Sequence, residues 1–483
     1  MINQSPPTIR TRMAPSPTGE MHVGSLATLL KNYAFAKKHH GQFILRIEDT
    51  DKAREVPGGV EAIMKIIRAY GLDWDEGPDK PSSSGPFIQS ERLQLYQQHA
   101  EQLLNERKAY RCFCSKDRLE KLREIQTQNH QPSGYDQHCL KLSEEEINQN
   151  LADQKPFVIR LHVPENQTIE FTDVLRGKIT FNSSDIDDQV LIKSDGYPTY
   201  HLGVVVDDHL MNITHIIRGE EWISSAPKHV ILYQAFGWEL PVFCHVPVFL
   251  NPDGRGKMSK RKGTVSAQSF LDRGYLPQAM LNFLMILGWT PQDQRDLVSL
   301  GEYIQEFDLA DLHPNSVVFD LQKLDWLNGQ YIRQLSDQEL LTQLKPFLPS
   351  GLSLELLAKI LPLIKERLVR LDQIAEFTDF FHKQITVTKE ILCPKANLEE
   401  CAEQLSTILD QLATLTDWST TNLESSIRQT QSDHAWSKSH FFMLLRLAVT
   451  GKKATPPLFE TMAVMGKELV LARLQAALTT LST

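Results

Sequence analysis

Two stretches of this chain combine residue types that suit a polyphosphate. The first is Ala14-Pro-Ser-Pro-Thr-Gly-Glu-Met-His-Val-Gly-Ser25. Its prolines and glycine set a tight, preorganised turn after a strand. His22 and Gly24 then open a helical pattern whose N-terminal N–H groups and dipole favour phosphate. The second is Gly254-Arg-Gly-Lys-Met-Ser-Lys-Arg-Lys-Gly263, in a stretch from Asn251 to Lys262 with five basic residues against one acid. Flanking glycines make this loop mobile, and a mobile cationic loop suits charge that grows as a phosphoryl bond breaks. No GxxxxGK(S/T) loop and no GxGxxG fingerprint is present, which disfavours the two commonest nucleotide folds.

A third cluster is cysteine-based. Cys112 and Cys114 are followed, after 24 intervening residues, by Cys139. With six cysteines in 483 residues there is no disulfide framework, and in a reducing compartment such a cluster points to metal. Tetrahedral zinc needs a fourth ligand, for which Tyr135 and His138 are nearby candidates. Lys141 cannot ligate while charged.

The elements that must position these residues are legible as patterns. A short strand over 9–14 leads into the first motif, and apolar residues at helical spacing run from Val23 to His40. A second strand, 42–47, ends in Glu48-Asp-Thr-Asp51, and an amphipathic helix follows from Val56 to Tyr70. Strand, helix, strand, helix begins a parallel α/β sheet, and polar strand-end loops mark where its ligand binds. Charged helical pattern covers 91–128, and 156–192 is strand-rich. Apolar strands are then expected at 189–192, 202–206 and 213–217. On a strand the neighbours Asp207 and Asp208 would face opposite ways, so they are given no catalytic role. Beyond Leu276 the pattern is helical and Leu-rich, and 77–86 and 348–352 read as joints.

The length predicts roughly three domains. Hydrophobic residues at 41% and charged residues at 23% exclude wholesale disorder. A net charge of −9 excludes a general polyanion binder, though not a nucleic-acid enzyme with a local basic patch. No apolar run reaches the ~18 residues of a membrane helix. The N-terminal residues show no secretory signal, and a cytoplasmic protein is expected.

Together, in this order and about 230 residues apart, the two loop motifs resemble the HIGH and KMSKS signatures of class I aminoacyl-tRNA synthetases, as His22-Val-Gly-Ser25 and Lys257-Met-Ser-Lys-Arg261. Leu45-Arg-Ile-Glu-Asp-Thr-Asp51, Asp195-Gly-Tyr-Pro-Thr-Tyr-His201, Val205-Val-Asp-Asp208, Ile217-Arg-Gly-Glu-Glu-Trp222 and Gly274-Tyr-Leu-Pro277 are similar to bacterial glutamyl-tRNA synthetases. Leu445-Arg-Leu-Ala-Val-Thr-Gly451 and Met465-Gly-Lys-Glu468 carry the resemblance to the tail.

The resemblance implies ATP-dependent activation of L-glutamate and its transfer to tRNA(Glu). It implies α/β plus all-α architecture: a Rossmann-like catalytic domain (1–95 and 191–250), an α+β insertion binding the acceptor end (96–190), a stem-contact module (251–335) and a helical anticodon-binding region (336–483). His22, Gly24, Lys257 and Lys260 would be catalytic. Pro15, Ser16, Thr18, Gly19, His22, Gly24, Ser25 and Lys260 would bind ATP, with Mg²⁺ arriving on its phosphates. Arg12 and Tyr200 would read the side-chain carboxylate of glutamate, Arg218 the other carboxylate, and Ser16 and Glu48 the ammonium. Cys112, Cys114, Tyr135 and Cys139 would form a structural zinc site. Arg428, Trp436 and Arg446 are candidates for reading the anticodon by stacking and edge hydrogen bonds. The expected protein is a monomer. Two alternatives share the resemblance: a form that glutamylates tRNA(Gln) as well or instead, and an inactive tRNA-binding paralogue, which should have lost the phosphate-handling residues.

Overall fold

The computed structural model describes residues 8–258, 265–394 and 397–482, which divide into two compact units. The first comprises 1–271 and 277–321, and the second 272–276 and 322–483. Both joints expected from composition therefore lie inside a unit.

The first unit is built on two strand–helix–strand crossovers. Strand β1 (Arg10–Met13) pairs in parallel with β2 (Gln42–Leu45) through α1 (Val23–Lys38), and α2 (Gly59–Ala69) follows. Leu26, Leu29, Leu30 and Ala34 are buried, as the helical spacing predicts. Next come α3 (Leu93–Asn105), β3 (Ala109–Cys112), α4 (Lys116–Gln128), α5 (Glu144–Ala152), β4 (Val158–Leu161), β5 (Thr168–Asp173), β6 (Gly177–Asn182) and β7 (Val190–Ile192). Then α6 (Tyr200–Leu210), β8 (His215–Gly219), α7 (Ala226–Phe236) and β9 (Val242–Val246) complete the second crossover, with β8 and β9 parallel.

The strand-rich segment is shared between two sheets. Strands β3, β4 and β7 form an antiparallel sheet of their own, while β5 and β6 extend the sheet of β8 and β9, with Asp173 opposite Phe243. Strand β10 (Phe249–Leu250) pairs with β11 (Val317–Val318), and α8 (Ala267–Asp272), α9 (Pro277–Ile286) and α10 (Leu300–Glu306) lie between them in the chain.

One element differs in kind from the expectation. Residues 202–206 are not a strand but the middle of α6, with every residue from Leu202 to Asp208 buried. A helix buried all round shows no amphipathic period, and a short apolar run with β-branched valines then reads equally well as a strand. Asp207 and Asp208 are consequently consecutive helical positions, about 100° apart around the axis.

The second unit is helical throughout its described residues, with a core of Leu340, Leu357, Ile360, Leu361, Ile408, Leu444 and Leu474. Cys393 and Cys401 are joined as a disulfide, the one pairing that the sequence reading left out. Arg428, Trp436 and Arg446 are all engaged within this unit: Arg428 pairs with Glu424, the Trp436 ring stacks on His434, and Arg446 donates to Thr455 and to the Pro456 carbonyl.

Candidate active site and metal centre

A cavity of about 620 Å³ opens in the first unit, where the ends of β1, β2, β8 and β9 meet the start of α1. Arg12, Pro15, Ser16, His22, Gly24, Ser25, Glu48, Tyr200, Arg218 and Lys257 all line it. Thr18 and Gly19 do not; they sit on the exposed outside of the turn. Lys260 lies outside the described residues, as do the other positions from 259 to 264.

His22 is the N-cap of α1, and its Nδ1 accepts from the Gly24 N–H at 2.9 Å. An accepting Nδ1 puts the ring proton on Nε2. The first turn of α1 carries no acidic side chain, so the positive end of its dipole is not neutralised locally. A Cβ at position 24 would come within 3.1 Å of His22 Nδ1, so the cap geometry and the glycine need each other.

Beneath the cavity is a buried ionic network. Asp208 accepts from Arg12 Nε at 3.0 Å, from Arg12 Nη2 at 3.2 Å and from Arg46 Nη1 at 2.7 Å. Arg46 Nη2 in turn donates to Glu48 at 3.1 Å. Burial alone would raise the pKa of Asp208, but Arg12 and Arg46 outweigh it and hold the carboxyl below its ordinary range. For Glu48 burial wins over the same two arginines, and its pKa is raised. Asp207 accepts from Gln89 at 2.8 Å, Arg92 at 2.7 Å and Tyr96 at 2.8 Å, and lies 3.7 Å from Arg46 Nε.

Arg218 is held without a carboxylate. Its Nε donates to His245 Nε2 at 3.0 Å, and its Nη1 lies 3.2 Å from the Tyr200 hydroxyl and 3.1 Å from His229 Nδ1. His245 is fixed from behind, its Nδ1 2.7 Å from Asp173, and His201 continues the chain from His229 at 3.1 Å. Burial and the Arg218 charge lower the pKa of His229, and burial lowers that of His245 against the opposing pull of Asp173. Both rings are therefore neutral acceptors at pH 7. Arg218 Nη2 is buried with no hydrogen-bond partner among the described residues. A buried guanidinium with an unused N–H pair, set in a cavity wall, is built for a carboxylate brought by a ligand.

Sequence reasoning missed Asp173, His245, His229 and Arg46. The one available signal was a polar residue within an otherwise apolar strand, as in Val242-Phe-Cys-His-Val246.

The catalytic-domain description "tRNA synthetases class I (E and Q)" matches residues 8–326, and an "Anticodon binding domain" matches 339–478. The chain belongs to the class I tRNA synthetases of the E and Q branch. Within this branch it is 42% identical to a glutamate–tRNA ligase of Dehalococcoides mccartyi, with 98% of each chain covered. It is 40% identical to that of Clostridioides difficile, over 96% of this chain and 98% of the other. Among solved structures, a glutamate tRNA ligase from Elizabethkingia meningosepticum in complex with its amino acid superposes with a TM-score of 0.89 at 35% identity, over 98% of this chain and 100% of that one. The class I synthetase fold with a helical anticodon-binding domain, expected from the sequence, is thereby shown.

The cysteine cluster is a second candidate site of this synthetase. The sulfurs of Cys112, Cys114 and Cys139 lie within 4.8 Å of one another. The Tyr135 hydroxyl is 3.3 Å from both Cys112 Sγ and Cys114 Sγ, whereas His138 is exposed and outside the cluster. Hydrogen bonding from Cys139 holds the Cys112 thiol well below its ordinary pKa. Three converging sulfurs with a phenol oxygen fit the donor set and size of a tetrahedral zinc site.

Proposed function

We propose that this chain attaches L-glutamate to tRNA(Glu) through a glutamyl-adenylate, consuming ATP with Mg²⁺ and releasing AMP and pyrophosphate. Membership of the family and near-full-length similarity to glutamate–tRNA ligases support this reading. The observation that carries the choice of amino acid is the cavity's pair of arginines, one neutralised and one not. Arg12 and Arg218 would each take a carboxylate, Tyr200 would orient Arg218, and Glu48 with Ser16 would take the ammonium. His22 Nε2, Gly24 and the α1 N-terminus would face the α-phosphate, aligning it with the attacking carboxylate. Lys257 and Lys260 would screen the departing pyrophosphate. Lys257 is half exposed and pairs with Glu221 at 3.0 Å, an ion pair weak enough to exchange for a ligand.

Cys112, Cys114, Tyr135 and Cys139 would hold zinc as a structural staple of the β3–β4–β7 sheet. The helical region matched as an anticodon-binding domain would read tRNA(Glu), and tRNA(Gln) is the second substrate to test. Side-by-side aminoacylation of the two purified tRNAs, with Lys260→Ala as control, checks the reading. Charging of tRNA(Glu) that Lys260→Ala abolishes is the expected result. No charging of either tRNA by the wild type, and no glutamate-dependent ATP–pyrophosphate exchange in their presence, would overturn it.

A further inference from the structure

Besides Arg218, a second cation in the cavity has no carboxylate partner among the described residues. Lys31 lies two turns into α1, is only 4% exposed, and lines the cavity together with Gly24, Ala27 and Thr28, its neighbours on one helix face. Among the described residues no oxygen accepts a hydrogen bond from its Nζ, which faces the Phe249 ring with the centroid 6.0 Å away. Lys37, on the same helix, pairs with Asp75 at 2.5 Å, and Lys38 donates to the Phe307 carbonyl at 2.9 Å. Burying most of a lysine with no protein oxygen to receive its protons is costly, and such groups persist where a ligand in the cavity completes them.

Its place in the cavity says which ligand. Helical side chains lean back toward the helix N-terminus, so the Lys31 stem carries the ammonium beneath the first turns of α1, on the side of Gly24. Lys31 joins none of the hydrogen bonds that link Arg12, Arg46, Glu48, Tyr200 and Arg218. Its ring neighbour Phe249 precedes Leu250, which bridges to Lys257 at the root of the basic loop. The ammonium thus belongs to the wall shared by α1 and β10, outside the carboxylate-reading network.

We propose that Lys31 is a nucleotide-binding residue, a fixed hydrogen-bond donor in the cavity wall for an acceptor atom of the bound ATP. It is completed by the nucleotide rather than by the protein. The inference rests on the ligase reading above and can fail separately from it. In aminoacylation with tRNA(Glu), Lys31→Met should raise the KM for ATP about tenfold, as for a hydrogen bond to a charged group, and leave the KM for glutamate within about twofold. Its melting temperature should equal or exceed that of the wild type, because the stem stays and the buried charge goes. Inhibition by adenosine and by ADP locates the acceptor: weaker inhibition by both points to the nucleoside, and by ADP alone to a phosphate. An active wild type with an unchanged KM for ATP in Lys31→Met, or with both KM values raised equally, overturns the proposal. Loss of stability with an unchanged KM would assign Lys31 to the core and overturn it too. An inactive wild type removes the ligase reading instead.

Discussion

Arg218 Nε donates to His245 Nε2 at 3.0 Å, and the far nitrogen of that imidazole is 2.7 Å from Asp173. The pair fixes a guanidinium without cancelling its charge. Replacing His245 with a side chain that cannot accept at that position frees Arg218 to rotate. His245→Phe is expected to raise the KM for glutamate about tenfold, the cost of one charge-assisted hydrogen bond. The KM for ATP should stay within about twofold. Steady-state aminoacylation kinetics with each substrate varied in turn checks both values.

Asp208 carries the opposite consequence. It bridges Arg12 and Arg46, and all three are buried. Asp208→Asn leaves Arg12 without its ion-pair partner and Arg46 with Glu48 at 3.1 Å and Asp207 at 3.7 Å, and should destabilise the first unit by about 3–5 kcal/mol, the range for breaking a buried pair. Adding Arg46→Met removes the surplus charge, so the double variant should unfold at a higher temperature than Asp208→Asn alone. Calorimetric melting of the three proteins tests this.

The buried ammonium of Lys31 makes stability depend on pH in a defined direction. Burial lowers its pKa from an ordinary 10.5 to about 8, and the group that opposes the shift is Cys244 of β9, whose own thiol burial pushes upward. Between those two pH values the unfolded chain binds the proton and the folded chain has lost it, so this group's contribution to stability rises with pH there. Below pH 8 the charge costs about 3 kcal/mol. Lys31→Met should therefore be more stable than the wild type at pH 7, with the advantage fading toward pH 10. Denaturant titrations of both proteins at several pH values measure the difference.

Zinc in the cysteine cluster would be visible in the purified protein. About one zinc per chain is expected by elemental analysis, and Cys114→Ser should lose most of it. Chelation should lower the melting temperature while leaving the KM for ATP unchanged, since the cluster lies outside the cavity lining. Protein purified without metal and fully stable to chelator would sink the assignment.

Much of this site was readable from local pattern because its chemistry sits at element ends. His22 and Gly24 start a helix and Glu48 follows a strand, so turn signals and apolar periods point at them, whereas Arg12, Tyr200 and Arg218 are legible through the family resemblance alone. What stayed hidden depends on packing between distant parts of the chain. Asp173 and His245 are 72 residues apart and meet because β5 lies beside β9. Lys31 sits within an apolar helical stripe, where one cation reads as a residue at the solvent boundary. Residues 202–206 misled because a helix enclosed on all sides loses the period that identifies helices.

That enclosed helix has a mechanical consequence. Asp208 grips β1 through Arg12 and the residue after β2 through Arg46, while the preceding Asp207 grips Gln89, Arg92 and Tyr96, the last of these on α3. Neighbouring carboxylates on one rigid rod thus fasten the cavity on one side and the entry to the 96–190 segment on the other. A load applied to α3 is delivered, one residue later, to the carboxylate that aims Arg12.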